Sequence, residues 1–242
     1  MAGGKDWQSF YVQEAGRYEA ARYGSAYGAA FRSAHRAVVN QLLDRVGRVG
    51  YAADVACGTG QLLPCLLERA DCVVGCDLTR EMLLVGKTSL ATSTASFVQA
   101  DSFHLPFRRG TLDVLVSSRF LHLFPIEQQR EVLLEFRRVL RPGGLLVVDF
   151  YNRRSRVLLA PLINIYRRLA RKRPEHDVHL TPREASRLLA EVGFEPASTR
   201  GVGSYFVVPL LWLPHAWIAR LMRGQVFANA WMAEQWIIAA RA

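Results

Sequence analysis

The stretch Tyr51-Ala-Ala-Asp-Val-Ala-Cys-Gly-Thr-Gly60 limits most sharply what this chain can fold into. Tyr51, Ala52, Ala53, Val55 and Ala56 read as a buried strand that ends in a Gly-Thr-Gly turn. Gln61 to Arg69 then reads as a helix, with Pro64 early enough that its missing N–H breaks little. A strand running through glycines into a helix N-terminus lets a ligand approach bare backbone, with helix N–H groups turned toward it. The dinucleotide fingerprint would need a third glycine where Leu63 stands, which argues against a plain NAD site.

The next segments repeat the pattern. Cys72 to Asp77 is a second short apolar strand ending in an acid, placed where a carboxylate can accept both ribose hydroxyls of an adenosine over the glycine turn. A third strand, Ser96 to Asp101, also ends in an acid, and a fourth, Leu112 to Ser118, leads into Arg119-Phe-Leu-His122. Thr79 is an N-cap for a helix over 79–91. Another helix, over 126–140, places Val132, Leu133, Phe136, Val139 and Leu140 at helical spacing, and Leu145 to Phe150 forms a fifth strand after Arg141-Pro-Gly-Gly144. This alternation predicts a parallel sheet covered on both faces, with ligands held beyond the carboxyl ends of its strands near the point where strand order reverses. Thr181-Pro-Arg-Glu184 is a capping box that starts a further helix, ended by Gly193; sixth and seventh strands are expected near 194–201 and 235–241.

Asp54-Val-Ala-Cys-Gly-Thr-Gly60, Asp77-Leu-Thr-Arg-Glu-Met82, Gln99-Ala-Asp101 with Leu105-Pro-Phe107, Phe120-Leu-His122 and Arg138-Val-Leu-Arg-Pro-Gly-Gly144 occur in that order. Together they resemble the class I S-adenosylmethionine-dependent methyltransferases, and within them the ubiquinone/menaquinone-biosynthesis small-molecule branch. The resemblance covers roughly residues 50–150. It implies an α/β fold, a Rossmann-like seven-stranded mixed sheet with its last strand antiparallel, flanked by helices and carrying helical lid and insert segments. One domain over 1–242 is expected, with a lid at 1–48, a donor-binding core at 49–150, and acceptor-side inserts at 151–180 and 202–234.

The same resemblance implies S-adenosyl-L-methionine as donor, S-adenosyl-L-homocysteine as product, and no metal. Asp54 would hold the methionine ammonium, while Gly58 and Gly60 make room for the methionine part. Asp77 would bind the ribose, Asp101 the adenine amino group with Ser102 beside it, and Met82 would pack on the adenine. Ala56, Leu78 and Ser117 complete the implied donor site. Tyr18, Arg22 and Tyr23 belong to a Tyr/Arg-rich helical segment, 8–48, that in this family closes over the ligands, and Arg119 would face the acceptor. The helical spacing of Tyr11, Tyr18, Arg22, Tyr23 and Tyr27 is read equally well as a packing face with snorkelling arginines.

His122 follows the fourth strand on the loop that faces the methyl group in this family. As an imidazole it can take a phenol, hydroxyl or amine proton, or simply hydrogen-bond the backbone. His104 is the second candidate. His176 and His179, near Asp177, lack a third clustered ligand and read as surface residues rather than a metal site. Ser117 and Ser118 have no Ser/His/Asp context in the sequence, so no nucleophile is expected there. Cys57, Cys65, Cys72 and Cys76 form no Cys-x-x-Cys pair and read as buried free thiols.

Charge is the unusual part of the composition. Lys and Arg number 31 against 21 Asp and Glu, a net +10, which invites nucleic acid, an anionic membrane or an acidic substrate. No Asn-Pro-Pro-Tyr motif for base amines and no appended RNA-binding module accompany it, so nucleic acid is not the expected partner. The first reading is therefore methyl transfer to a small, apolar or aromatic acceptor by O-, C- or N-methylation. RNA methylation and a non-catalytic S-adenosylmethionine-binding partner protein are the alternatives.

Arg153, Arg154, Arg156, Arg167, Arg168, Arg171, Lys172 and Arg173 flank the apolar segment 157–169. This is either a solvated helix or an interfacial one meeting anionic lipid. With the Leu/Trp-rich stretch at 205–218 it could form an apolar mouth for a lipophilic acceptor. The N-terminus lacks a signal-peptide pattern, and no run reaches the ~18–20 apolar residues of a membrane span. A cytoplasmic location is expected, with peripheral contact at the inner membrane face as the corollary of the interfacial reading.

Overall fold

The computed structural model describes residues 7–155, 157, 177–203, 214–223 and 233–242. The N-terminal segment expected to be helical over 8–48 is three helices. α1 (Trp7–Glu14) passes through a 3-10 turn (Ala15–Arg17) into α2 (Tyr18–Tyr23), and α3 (Ala26–Leu43) starts afresh. Ser25 makes the break: it is extended, and its hydroxyl accepts the Gly28 N–H at 3.0 Å as an N-cap. Gly28 lets the two helices touch, because a Cβ there would lie 2.4 Å from the Arg22 carbonyl oxygen.

The core then alternates: β1 (Val49–Val55), α4 (Leu63–Leu67), β2 (Ala70–Asp77), α5 (Arg80–Ser89), β3 (Ser96–Gln99), β4 (Leu112–Ser117), a 3-10 turn (Leu121–Leu123), α6 (Ile126–Val139) and β5 (Leu140–Asn152). The Arg141–Gly144 turn is an irregularity within β5, where its register with β4 shifts between Leu112 and Val114. Beyond it come β6 (His179–Leu180), α7 (Pro182–Glu191), β7 (Glu195–Val202), α8 (His215–Arg223) and β8 (Gln235–Arg241). The capping box starts α7 as the sequence requires, with Thr181 and Glu184 exchanging side-chain-to-backbone bonds.

The strands lie in the order β3-β2-β1-β4-β5-β8-β7. β1 to β5 pair in parallel, and β8 runs antiparallel between β5 and β7. The mixed sheet with an antiparallel last strand is therefore present. The two-residue β6, parallel to β5 through Tyr151↔His179 and Asn152↔Leu180, is an addition the sequence did not announce. Strand order reverses at β1, whose neighbours β2 and β4 are reached by crossovers in opposite directions, so a crevice opens at the carboxyl ends of β1 and β4.

Neighbouring residues in each strand feed opposite faces, as a period of two demands. Ala52, Val114 and Val147 pack with Ala34, Val38, Leu63 and Met222 of α3, α4 and α8. Ala53, Leu115 and Leu146 pack with Leu133, Phe136 and Leu189 of α6 and α7 on the other side. Cys57, Cys65 and Cys76 are buried free thiols, and burial pushes Cys76 up to about 12, which leaves it unreactive. Cys72 departs from expectation: it is exposed near the start of β2, beside the exposed Asp71.

Arg156, residues 158–176 and 204–213 hold most of the two inserts, including Arg167, Arg168, Arg171, Lys172, Arg173 and His176, and lie outside the described residues. Within the described part, Arg153 is tied to Glu184 at 2.8 Å.

Phe136 is fully buried at the centre of the α6–sheet layer. Phe136→Ala is expected to cost about 3–5 kcal/mol, read as a lower denaturant midpoint with an unchanged slope.

Candidate active site

A cavity of about 440 Å³ lies over the carboxyl edge of the sheet and is closed from outside by the N-terminal helices. Its floor is the turn after β1. Ala56 (φ 58), Gly58 (φ 54) and Gly60 (φ 79) all adopt the left-handed conformation. For Ala56 this costs roughly 1–2 kcal/mol, and the turn is held by its own N–H groups, Cys57 donating to the Cys76 carbonyl and Gly60 to the Cys57 carbonyl. The Asp77 carboxylate fixes that shape by bridging two turns: Oδ2 accepts the Gly58 N–H and Oδ1 the Thr79 N–H, each at 2.8 Å. Burial raises the Asp77 pKa, and hydrogen bonds from Thr79, Gly58 and Leu78 work against that rise.

Asp54, at the end of β1, lines the same cavity and is 2% exposed. No described side chain or backbone group hydrogen-bonds its carboxylate. Burial, with the neighbouring Asp77 charge, therefore holds its pKa well above the usual carboxylate range. A buried acid without a partner suits a ligand that brings a cation. Asp101 and Ser102 after β3, and the buried Met82 on α5, line the far end.

The outer wall comes from the first forty residues. Tyr11, Tyr18 and Tyr23 line it, and burial, with Tyr18 second, pushes Tyr11 up to about 12. Thr59 in the floor donates its hydroxyl to Glu19 of α2, which also takes Arg32 of α3 at 3.2 Å. Arg119 follows β4 in the left-handed region (φ 57). It donates to the Tyr23 hydroxyl at 3.2 Å, and its guanidinium lies over the rings of Tyr23 (5.7 Å) and Phe31 (5.8 Å). Burial alone would lower its pKa, but Tyr151, Tyr23, Tyr18 and Glu234 around it raise it, so the charge stays.

On the β4–β5 side, His35 of α3 and Ser118 line the cavity and meet the buried Asp149 of β5. Asp149 Oδ2 accepts the Ser118 hydroxyl at 2.6 Å and lies 3.3 Å from His35 Nε2, while Oδ1 accepts the Arg119 N–H at 2.8 Å. Burial would raise this carboxyl, yet the His35, Ser118 and Arg119 contacts bring its pKa below the ordinary value.

Comparison with known proteins bears on this site. A methyltransferase-domain family matches residues 53–148, the part that builds the cavity floor. A ubiquinone/menaquinone biosynthesis C-methyltransferase of Syntrophotalea carbinolica is 31% identical over 170 residues, 68% of this chain and 69% of that protein. The chain belongs to the class I S-adenosylmethionine-dependent methyltransferases of the ubiquinone/menaquinone type. A demethylmenaquinone methyltransferase of Thermus thermophilus is 36% identical over 57% of this chain and 62% of that one. The chain spans about half the length of other curated relatives it matches. In fold it is similar to the magnesium protoporphyrin IX methyltransferase of Synechocystis solved with S-adenosylhomocysteine, with a TM-score of 0.65 and 14% identity over 96% and 98% of the two chains.

In this methyltransferase the cavity gathers Asp54, Ala56, Gly58, Asp77, Leu78, Met82, Asp101, Ser102, Tyr18, Tyr23 and Arg119 from the sequence-derived set. Gly60 sits outside it as a packing position, where a Cβ would meet Leu63 at 3.0 Å. Ser117 is buried with an unpartnered hydroxyl and does not line the cavity, nor does Arg22, whose guanidinium lies over the Tyr18 ring.

The structure places the His122 ring flat against Tyr151, centroids 4.0 Å apart at 8°, and it is not among the described lining residues. Burial, against Asp149 and with Arg119 and Arg22, takes its pKa down to about 3. His104 is exposed, 3.9 Å from Asp101. The sequence reading missed His35 and Asp149. The available signal was a lone acid in the apolar run Leu145-Leu-Val-Val-Asp-Phe150. Among the described residues no group of three or more His, Cys, Asp or Glu could hold a metal ion.

The two buried acids act on stability with opposite sign. The raised Asp54 carboxyl stabilises the fold below the ~3.9 of an unfolded Asp, and that contribution is lost as pH rises through its folded value. The lowered Asp149 carboxyl contributes above that range, and its contribution is lost as pH falls. Asp54→Asn is thus expected to raise the melting temperature of the ligand-free protein by roughly 2–8 °C at pH 8 and by little at pH 4. Asp149→Asn is expected to lower it at pH 8. Calorimetric scans at both pH values check the pair.

Proposed function

We propose that this methyltransferase moves the methyl group of S-adenosylmethionine to a small, largely apolar or aromatic acceptor that reacts through an ionisable hydroxyl of phenol or quinol type. One observation carries the reading: the cavity is acidic at one end, and at the other it is aromatic and lined by the guanidinium groups of Arg119, Arg32 and Arg36. The acidic end fits the donor. Asp54 supplies the missing countercharge for its ammonium, the left-handed turn leaves room for its methionine part, and the Asp77 carboxylate takes the ribose hydroxyls. Asp101 and Met82 lie at the end where the adenine belongs.

At the other end, Phe31, Tyr23, Phe120 and Phe124 offer ring surfaces beside Arg119. That cation opposes a protonated amine and favours an oxygen carrying negative charge. The relatives whose names carry ubiquinone, menaquinone and demethylmenaquinone support a quinol-like acceptor. The donor brings its own leaving group, so the chain's task is to hold the methyl in line, exclude water and remove one proton.

Peripheral contact with an anionic membrane belongs to the same proposal and is supported by Trp217, 66% exposed on α8 next to the inward Ile218 and near the exposed Arg220. No described helix is long and apolar enough to cross a membrane. Co-sedimentation with anionic vesicles at low salt, lost at high salt and absent with neutral vesicles, is the expected result. Equal failure with both vesicle types removes this part of the proposal.

Asp77→Ala is expected to weaken S-adenosylmethionine by ~10- to 150-fold in calorimetry, the worth of hydrogen bonds to a charged group. Unchanged affinity in a folded variant would defeat the ribose assignment.

A further inference from the structure

The group that removes the acceptor's proton can be sought among the titratable residues at the acceptor end. His122 lies against Tyr151 outside the cavity lining. Arg119 is a fixed cation, and the hydroxyls of Tyr11 and Tyr23 are made harder to ionise by burial. That leaves the cluster in which α3, β5 and the end of β4 meet.

Hydrogen-bond accounting fixes how this cluster is wired. The Ser118 hydroxyl owns one hydrogen, and the 2.6 Å contact to Asp149 Oδ2 uses it. Ser118 Oγ can then only accept at its 3.0 Å contact with His35 Nε2. The hydrogen on that line therefore sits on Nε2, which also points it at Asp149 Oδ2, 3.3 Å away. A neutral ring with hydrogen on Nε2 carries its lone pair on Nδ1. No described group hydrogen-bonds His35 Nδ1. His35 is thus presented as an acceptor of one proton, beside a carboxylate that would face the resulting imidazolium.

We propose that His35 is the catalytic base of the methyl transfer, with Asp149 and Ser118 as positioning residues that set its tautomer and offset its charge. This rests on the acceptor reading above. The acceptor O–H bond breaks and its proton passes to His35 Nδ1. The electron pair left on oxygen, directly or through a conjugated ring carbon, forms the bond to the methyl carbon. The carbon–sulfur bond breaks, and its pair stays on sulfur as a neutral thioether. The sulfonium's positive charge is thereby replaced by that of imidazolium.

The surroundings suit that exchange. The ring stacks on Phe31, centroids 5.8 Å apart at 30°, which fixes its plane. The charged and titratable groups facing the cluster include Asp149 and Tyr151 on β5, Arg119 and His122 after β4, Arg32 and Arg36 on its own helix, Tyr23 on α2 and Asp54 on β1. The donor-side acids Asp77 and Asp101 follow β2 and β3, beyond β1, while the cluster lies at β4 and β5. A donor spread along β1 to β3 therefore leaves its methyl end directed toward His35.

The test uses the full chain, labelled S-adenosylmethionine and a naphthohydroquinone carrying a prenyl chain. His35→Gln is expected to lower kcat by about 10²- to 10⁴-fold, with donor Kd within about twofold and the acid limb of the kcat–pH profile gone. Asp149→Asn should lower kcat at least about tenfold, and Ser118→Ala less. A His35→Gln protein that binds donor and keeps wild-type kcat and pH profile overturns the proposal.

Nitrogen NMR of histidine-labelled protein bound to S-adenosylhomocysteine gives a second, acceptor-free reading. It should show His35 protonated at Nε2 and bare at Nδ1, with that preference weakened in Asp149→Asn; the opposite tautomer overturns the proposal even if His35→Gln fails to fold. A wild-type protein that binds donor but leaves the hydroquinone unmethylated sinks the acceptor reading instead, and the tautomer then decides the cluster.

Discussion

The Asp77 carboxylate, bridging the Gly58 and Thr79 N–H groups, is the interaction on which the site's shape depends. It ties the turn after β1 to the turn after β2, so two crossovers that share only a strand pairing become one rigid floor. The left-handed conformations of Ala56 and Gly58 are affordable because this bridge holds them. The unpaired Asp54 at the end of β1 is positioned beside that floor.

Three acids at the carboxyl edge of one sheet show how hydrogen-bond supply assigns roles. Asp54 has no partner, so its carboxyl resists ionisation until a ligand brings a cation. Asp77 is held by hydrogen bonds from Thr79, Gly58 and Leu78, which oppose the rise that burial imposes on its pKa. Asp149 is served by a serine, a backbone N–H and a histidine, and its charge is directed at His35. Chemically identical groups within one crevice thus differ in charge behaviour, and the proposed function gives them the separate tasks of binding, recognising and orienting.

The donor half was legible in the sequence because its signals are local. Gly58, Asp77 and Asp101 each sit at the end of an apolar run, and parallel strands must bring such ends to one edge. The acceptor half was not, because its central contact joins His35 and Asp149 across 114 positions. Nothing near His35 in the chain distinguishes it from the apolar face of α3. The setting of His122 was hidden for a related reason. Its position after β4 is right for the edge, but the 3-10 turn over Leu121–Leu123 and the Tyr151 ring decide where the imidazole lies. The N-terminal segment expected to be helical over 8–48 breaks at Ser25, a cap whose effect depends on the close approach that Gly28 permits.

The central claim is that an unpaired, buried Asp54 takes the cationic end of the donor. Calorimetry of S-adenosylhomocysteine binding in buffers of different ionisation enthalpy, at mildly acidic pH, tests it directly. The ligand's ammonium should force Asp54 to ionise, so binding should release up to about one proton, and the release should vanish in Asp54→Asn. A binding enthalpy independent of buffer in the wild-type protein would contradict the account.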